Sequence, residues 1–127
     1  MNPFDLNQFF RSRWEANVAR IFKYEKVEYI YEGRGMSFDL GDTRYLVDFY
    51  LPKEHLWIEV KGFATTRFKY KLSKPKEIHN VAPLMIDIDV YRKLEKFYAS
   101  RIPEWEVGKG YGIAEEGMEL GRMIALR

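Results

Sequence analysis

Two strand-like runs only four residues apart, Tyr45–Leu51 and Leu56–Val60, set the tightest limit on how this chain can fold. Both are rich in β-branched and aromatic residues, as strands are. The intervening Pro52-Lys53-Glu54-His55 has turn chemistry, with proline fixing φ and removing a backbone donor where pairing should stop. If those four residues are the loop and Leu51 sits opposite Leu56, the pairs run 50/57, 49/58, 48/59 and 47/60. Alternation then sorts the side chains onto two faces. Val47, Phe49, Leu51, Leu56, Ile58 and Val60 make an apolar face, which is the core side. Leu46, Asp48, Tyr50, Trp57, Glu59 and Lys61 make the other.

That second face places Asp48 directly across from Glu59. Like charges opposite each other in an antiparallel pair are destabilising, and the neighbouring Tyr50 and Trp57 do not describe a plainly solvated surface. A divalent cation between the two carboxylates relieves the repulsion. Mg²⁺ takes oxygen ligands and is commonly held by one or two carboxylates together with substrate phosphate. Lys61 lies on the same face and adds an ammonium that can orient a water or stabilise charge developing on a phosphate. The plainer alternative is a solvated hairpin face with a cross-strand Lys–Glu pair.

At 127 residues the chain is long enough for one core. Its 46% apolar and 17% aromatic content fits a folded globular protein. Cysteine is absent, which excludes disulfides and thiolate metal sites and fits a reducing, intracellular setting. No apolar run approaches the roughly 18 residues of a membrane span, and MNPFDLNQFF lacks the basic start of a signal peptide. The net charge of only +2 means that an anionic partner must be argued from where charge sits.

Residues 4–24 read as helical. Ser12 with Glu15 three residues on has the form of a capping box, which starts the main helix near Arg13. Trp14, Val18, Ile21 and Phe22 form its apolar stripe, and Phe4 to Phe10 makes a separate helical turn. Glu15 is either the capping-box partner or an acid aimed at the sheet. Short strands follow at Tyr29–Tyr31 and Met36–Leu40, and Gly41-Asp42 turns the chain into the Tyr45 run. Residues 61–80 carry Lys61, Arg67, Lys69, Lys71, Lys74 and Lys76 against the single acid Glu77, with Phe63, Phe68 and Tyr70 interleaved. Thr65 or Thr66 caps a helix here that Pro75 interrupts. A lysine-rich helix is most often a solvated face, but beside a phosphate-handling site this one suits a nucleic-acid backbone. Pro83 to Ile88 reads as a buried strand, and Asp89 caps a helix over Val90–Tyr98 with Val90, Leu94 and Phe97 on one face. Residues 101–127 hold five of the nine glycines, with at most a short terminal helix over Glu115–Ala125. His55 and His79 are given no role.

The set Arg11-Ser12-Arg13-Trp14-Glu15, Asp48-Phe49-Tyr50-Leu51-Pro52 and Glu59-Val60-Lys61-Gly62 resembles the PD-(D/E)XK nuclease superfamily, and within it the phage endonuclease I branch of junction-resolving enzymes. The resemblance covers roughly residues 11–98. It departs at Val47, where the superfamily's motif has proline. It implies an α/β, restriction-endonuclease-like core with a mixed central sheet flanked by helices over residues 1–100, and it leaves unexplained the glycine-rich residues 101–127, a C-terminal extension that is either part of the same domain or a tail. It further implies that Asp48 and Glu59 are the main ligands of Mg²⁺, for which Mn²⁺ substitutes. The Val60 carbonyl and Glu15 complete the set, and Lys61 is the catalytic ammonium. Arg67, Lys69, Lys71, Lys74 and Lys76 would contact DNA. The expected activity is endonucleolytic cleavage of branched or four-way junction DNA by a homodimer, cytoplasmic or, if phage-encoded, in the host cytoplasm. The alternatives are a site-specific nicking or homing-type endonuclease of the same fold, a non-catalytic nucleic-acid-binding module, and a small structural protein.

Overall fold

A computed structural model describes residues 5–33, 35–41, 44–61 and 82–108. The first element is α1 (Arg13–Tyr24). Ser12 has extended backbone and its Oγ accepts the Glu15 N–H at 3.0 Å, so the cap predicted from the sequence starts the helix. Residues 5–8 form turns rather than a helical turn, and the chain reaches α1 through the buried Phe10. Three short strands follow, β1 (Ile30–Tyr31), β2 (Ser37–Asp39) and β3 (Arg44–Leu46). The hairpin strands β4 (Phe49–Leu51) and β5 (Leu56–Val60) come next, then β6 (Leu84–Ile86) and α2 (Ile88–Tyr98).

The main sheet has the order β1-β4-β5-β6. Its first two pairings are antiparallel and β5–β6 is parallel, so the sheet is mixed. The β4–β5 register is 49/58, 50/57 and 51/56, as the four-residue loop dictates. The single run predicted over Tyr45–Leu51 is, however, two strands in two sheets. After Leu46 the chain bends: Val47 N–H donates to the Met36 carbonyl at 3.1 Å, and pairing with β5 begins only at Phe49. Val47 therefore leaves the face of Phe49 and joins Leu40 and Tyr45 in a second cluster that also takes in Phe38 and Trp57. The β2–β3 hairpin is a separate two-stranded sheet laid over the Trp57 side. Trp57 is sandwiched by rings, with Tyr50 at 4.3 Å and Phe38 at 5.1 Å between centroids. This cover explains why that side of the ribbon is aromatic as well as acidic.

On the other side, Phe49, Leu51, Ile58, Val60 and Ile86 pack against Trp14, Val18, Ile21 and Phe22 of α1 in the main core. The helix cap of α2 is Asp87, whose Oδ1 accepts the Val90 N–H at 2.9 Å, in place of the expected Asp89. Both aspartates suit a cap; the end of β6 at Ile86 selects the first. The buried face of α2 also differs from the expected one. Tyr91 is buried and stacks on Trp14 with centroids 4.0 Å apart, while Val90 and Phe97 are exposed. Ile102 and Trp105 also enter the main core. Asn17 fastens that segment, donating to the Glu106 carbonyl at 2.9 Å and accepting its N–H at 3.0 Å. No helix among the described residues is long and apolar enough to cross a membrane. The expected basic helix of residues 65–80 and the expected terminal helix over Glu115–Ala125 lie outside the described residues.

Candidate metal centre

The β4–β5 register carries Asp48 and Glu59 toward each other at the end of the ribbon where β4 begins and β5 ends. Asp48 precedes the first ladder pair, and its Oδ2 accepts the Val60 N–H at 2.8 Å. On the opposite side of β4, the Tyr31–Phe49 pairing of β1 brings the next residue, Glu32, alongside Asp48. The Glu32 N–H donates to the Asp48 carbonyl at 2.9 Å. Glu32 sits at φ 45°, a left-handed conformation that costs a non-glycine residue of order 1–3 kcal/mol. That bond and the Arg11 ion pair hold it there.

Glu15 arrives from the first turn of α1. Its N–H goes to Ser12 Oγ, and the same hydroxyl donates to Glu15 Oε2 at 3.0 Å. The Tyr31 hydroxyl donates to Glu15 Oε1. The cap and the acid aimed at the sheet thus coexist, because Ser12 serves both. One ligand oxygen from each of Glu15, Glu32 and Asp48 lies within 4.8 Å of the others. Glu15 and Asp48 are buried and Glu32 is partly so.

The protein-side bonds follow a pattern. Arg11 Nε donates to Glu32 Oε2 at 2.8 Å and Arg11 Nη2 reaches the same oxygen. The Val60 N–H takes only Oδ2 of Asp48. Among the described residues, no hydrogen bond reaches Asp48 Oδ1. Asp48 is oriented through one oxygen and presents the other, and Glu32 is held by Arg11 with the Tyr31 hydroxyl close by. Ligating carboxylates are commonly held this way by outer partners. Three acids against one guanidinium leave the group anionic, and its donors are hard oxygens. The residues therefore fit a small divalent cation of the Mg²⁺ class.

Electrostatics agree with that fit. Burial, followed by the charges of Glu15 and Glu59, pushes the Asp48 carboxyl well above its ordinary range. Glu59 is pushed up from 4.5 to about 7, chiefly by burial; Lys61 opposes the shift and Glu15 adds to it. Burial also raises Glu32, with Arg11 working against it. Like-charged groups in so little water hold protons unless a cation replaces them.

Of the residues expected from the sequence, the structure brings together Glu15, Asp48, Glu59 and Lys61. Glu59 stands beside Asp48 but is not one of the three mutually close carboxylates. Val60 contributes its N–H to Asp48. Arg67, Lys69, Lys71, Lys74 and Lys76 lie outside the described residues. Sequence reasoning missed Glu32 and Arg11. Glu32 follows a two-residue strand whose partner is reached only after an intervening hairpin, so no short loop announces its register. The chain matches no family model, no curated protein and no solved structure with which it was compared.

Proposed function

We propose that the chain is a divalent-metal-dependent endonuclease that hydrolyses DNA phosphodiester bonds, with branched or four-way junction DNA as its substrate. The observation that carries this reading is the buried group of Glu15, Glu32 and Asp48, with Glu59 and Lys61 at its edge. The PD-(D/E)XK resemblance of the motifs around Glu15, Asp48 and Glu59-Val60-Lys61 supplies the substrate class. Glu15, Glu32 and Asp48 would hold the cation, Mg²⁺ or Mn²⁺, and Arg11 and the Val60 N–H would keep two of those carboxylates in place. When bound, such a cation neutralises charge on a phosphate and draws it into the site. The Lys61 ammonium stabilises the extra negative charge that phosphorus carries as a nucleophile attacks. Burial makes such charge pairs stronger than they would be in water. Arg67 and the lysines from Lys69 to Lys76 would track the phosphate backbone. Cutting two strands symmetrically calls for two such sites related by a two-fold axis, hence a homodimer.

Incubation with labelled four-way junction and with linear duplex of matching sequence, in Mg²⁺ and then in EDTA, tests the reading. Junction cleavage that needs the metal and is lost in Asp48→Asn is the expected result. Cutting at one sequence of the linear duplex would favour the site-specific alternative. Binding without cutting would leave only a nucleic-acid-binding module.

A further inference from the structure

The three close carboxylates sit on two different parts of the fold. Glu15 belongs to α1, whereas Glu32 and Asp48 are the chain neighbours of Tyr31 and Phe49, which pair in the main sheet. A small divalent cation holds its ligand oxygens at set distances, so the helix-borne acid has to be fixed relative to the sheet. Ser12 does not do this. Its hydroxyl meets Glu15 Oε2 at 3.0 Å from the N-cap of the same helix, and so sets the carboxylate against α1.

Tyr31 reaches across from the sheet. Its hydroxyl donates to Glu15 Oε1 and accepts the Arg11 N–H at 3.2 Å. It also lies close to the Glu32 carboxylate. A phenol has one proton to give. With that proton on Glu15, Glu32 takes its own bond from Arg11 Nε at 2.8 Å. The Tyr31 ring is wedged between two buried rings, with Phe10 at 4.5 Å and Phe49 at 5.1 Å between centroids. Its backbone pairs with Phe49 in the β1–β4 ladder. The hydroxyl is thus a fixed point of the sheet directed at a side chain of the helix.

We propose that Tyr31 is a positioning residue of the metal centre: its hydroxyl holds Glu15 in register with Glu32 and Asp48, so that one ion takes an oxygen from each. This rests on the metal-dependent reading above. Tyr31 does not touch the ion. It acts through Glu15, as outer partners that orient ligating carboxylates do. The same hydroxyl takes the backbone N–H of Arg11, the residue whose side chain clamps Glu32, and so the two ligands are set from one place.

Tyr31→Phe tests the assignment because it removes the hydroxyl and keeps the ring between Phe10 and Phe49. In the full chain, Mn²⁺ affinity measured by calorimetry should fall about 10- to 100-fold. In a Glu15→Gln background the same change should add less than about twofold, because the two substitutions then break one shared interaction. A Tyr31→Phe variant that binds Mn²⁺ as tightly as the parent overturns the proposal. So does an equal further fall beside Glu15→Gln, which a hydroxyl with a merely structural role would produce. Crystal structures of the Mn²⁺-loaded parent and of Tyr31→Phe give a second reading. In the parent, Glu15 should ligate the ion while Oε1 keeps its bond from Tyr31. In the variant, Glu15 should turn away and leave Glu32 and Asp48 in place; a Glu15 carboxylate oriented alike in both sinks the assignment. A parent that binds no Mn²⁺ would instead remove the metal centre itself, and the role of Tyr31 with it.

Discussion

Glu59→Gln should stabilise the metal-free protein at neutral and alkaline pH, and the size of the effect follows from the burial of one carboxyl. Glu59 titrates near 7 in the folded chain against 4.5 for a free glutamate. A carboxyl whose pKa is raised on folding binds its proton more readily in the folded state. Its contribution is therefore fully present below pH 4.5 and is lost as pH climbs through 7. The difference corresponds to roughly 3 kcal/mol, or a melting temperature lower by roughly 10–15 °C in a domain of this size. Asp48 and Glu32 are shifted in the same direction and add to the loss. Asp5 is shifted downward by its hydrogen bond to Arg20, but its effect falls below pH 4 and outside the window. Thermal melts in EDTA between pH 4.5 and 8.5 provide the assay. The parent should lose stability steadily across this range, Glu59→Gln should lose much less, and saturating Mg²⁺ should restore the parent at pH 8. A parent profile that is flat, or that rises with pH, would refute the reasoning, because the acidic cluster would then carry no unfavourable charge on folding.

The remaining predictions concern the groups around that cluster. Arg11→Met removes the clamp on Glu32 Oε2, and Mn²⁺ affinity measured by calorimetry should fall roughly 10- to 100-fold. Lys61→Ala should reduce single-turnover cleavage by about 100-fold or more while junction binding in a gel-shift assay is retained. Replacing Arg67, Lys69, Lys71, Lys74 and Lys76 with glutamine should weaken binding to every DNA tested. It should also flatten the plot of log affinity against log salt by about one unit per lost phosphate contact.

Much of the site was legible because one short loop determines one register. With Pro52–His55 as the turn, the placement of Asp48 near Glu59 follows from pairing alone, and 49/58, 50/57 and 51/56 are the observed pairs. Ser12 and Glu15 were legible for a similar reason, since a cap is a local device. What escaped depends on contacts distant in sequence. Val47 alternates as a strand residue should, yet its N–H pairs with Met36 and the chain leaves the sheet there. Asp87 and Asp89 are equally good caps, and only the end of β6 chooses between them. Glu32 joins the acidic group through a β1–β4 pairing that spans the whole β2–β3 hairpin. The apolar pattern predicts that β1 is a strand but says nothing of its partner.

A calorimetric titration of Mn²⁺ into the EDTA-treated, dialysed parent and into Asp48→Asn bears most directly on the central assignment. Saturable binding in the parent, with release of protons near pH 7 and loss of binding in the variant, is expected if Glu15, Glu32 and Asp48 hold one ion. Equal affinity in the two proteins, or none in the parent, would mean that these carboxylates do not form a metal centre.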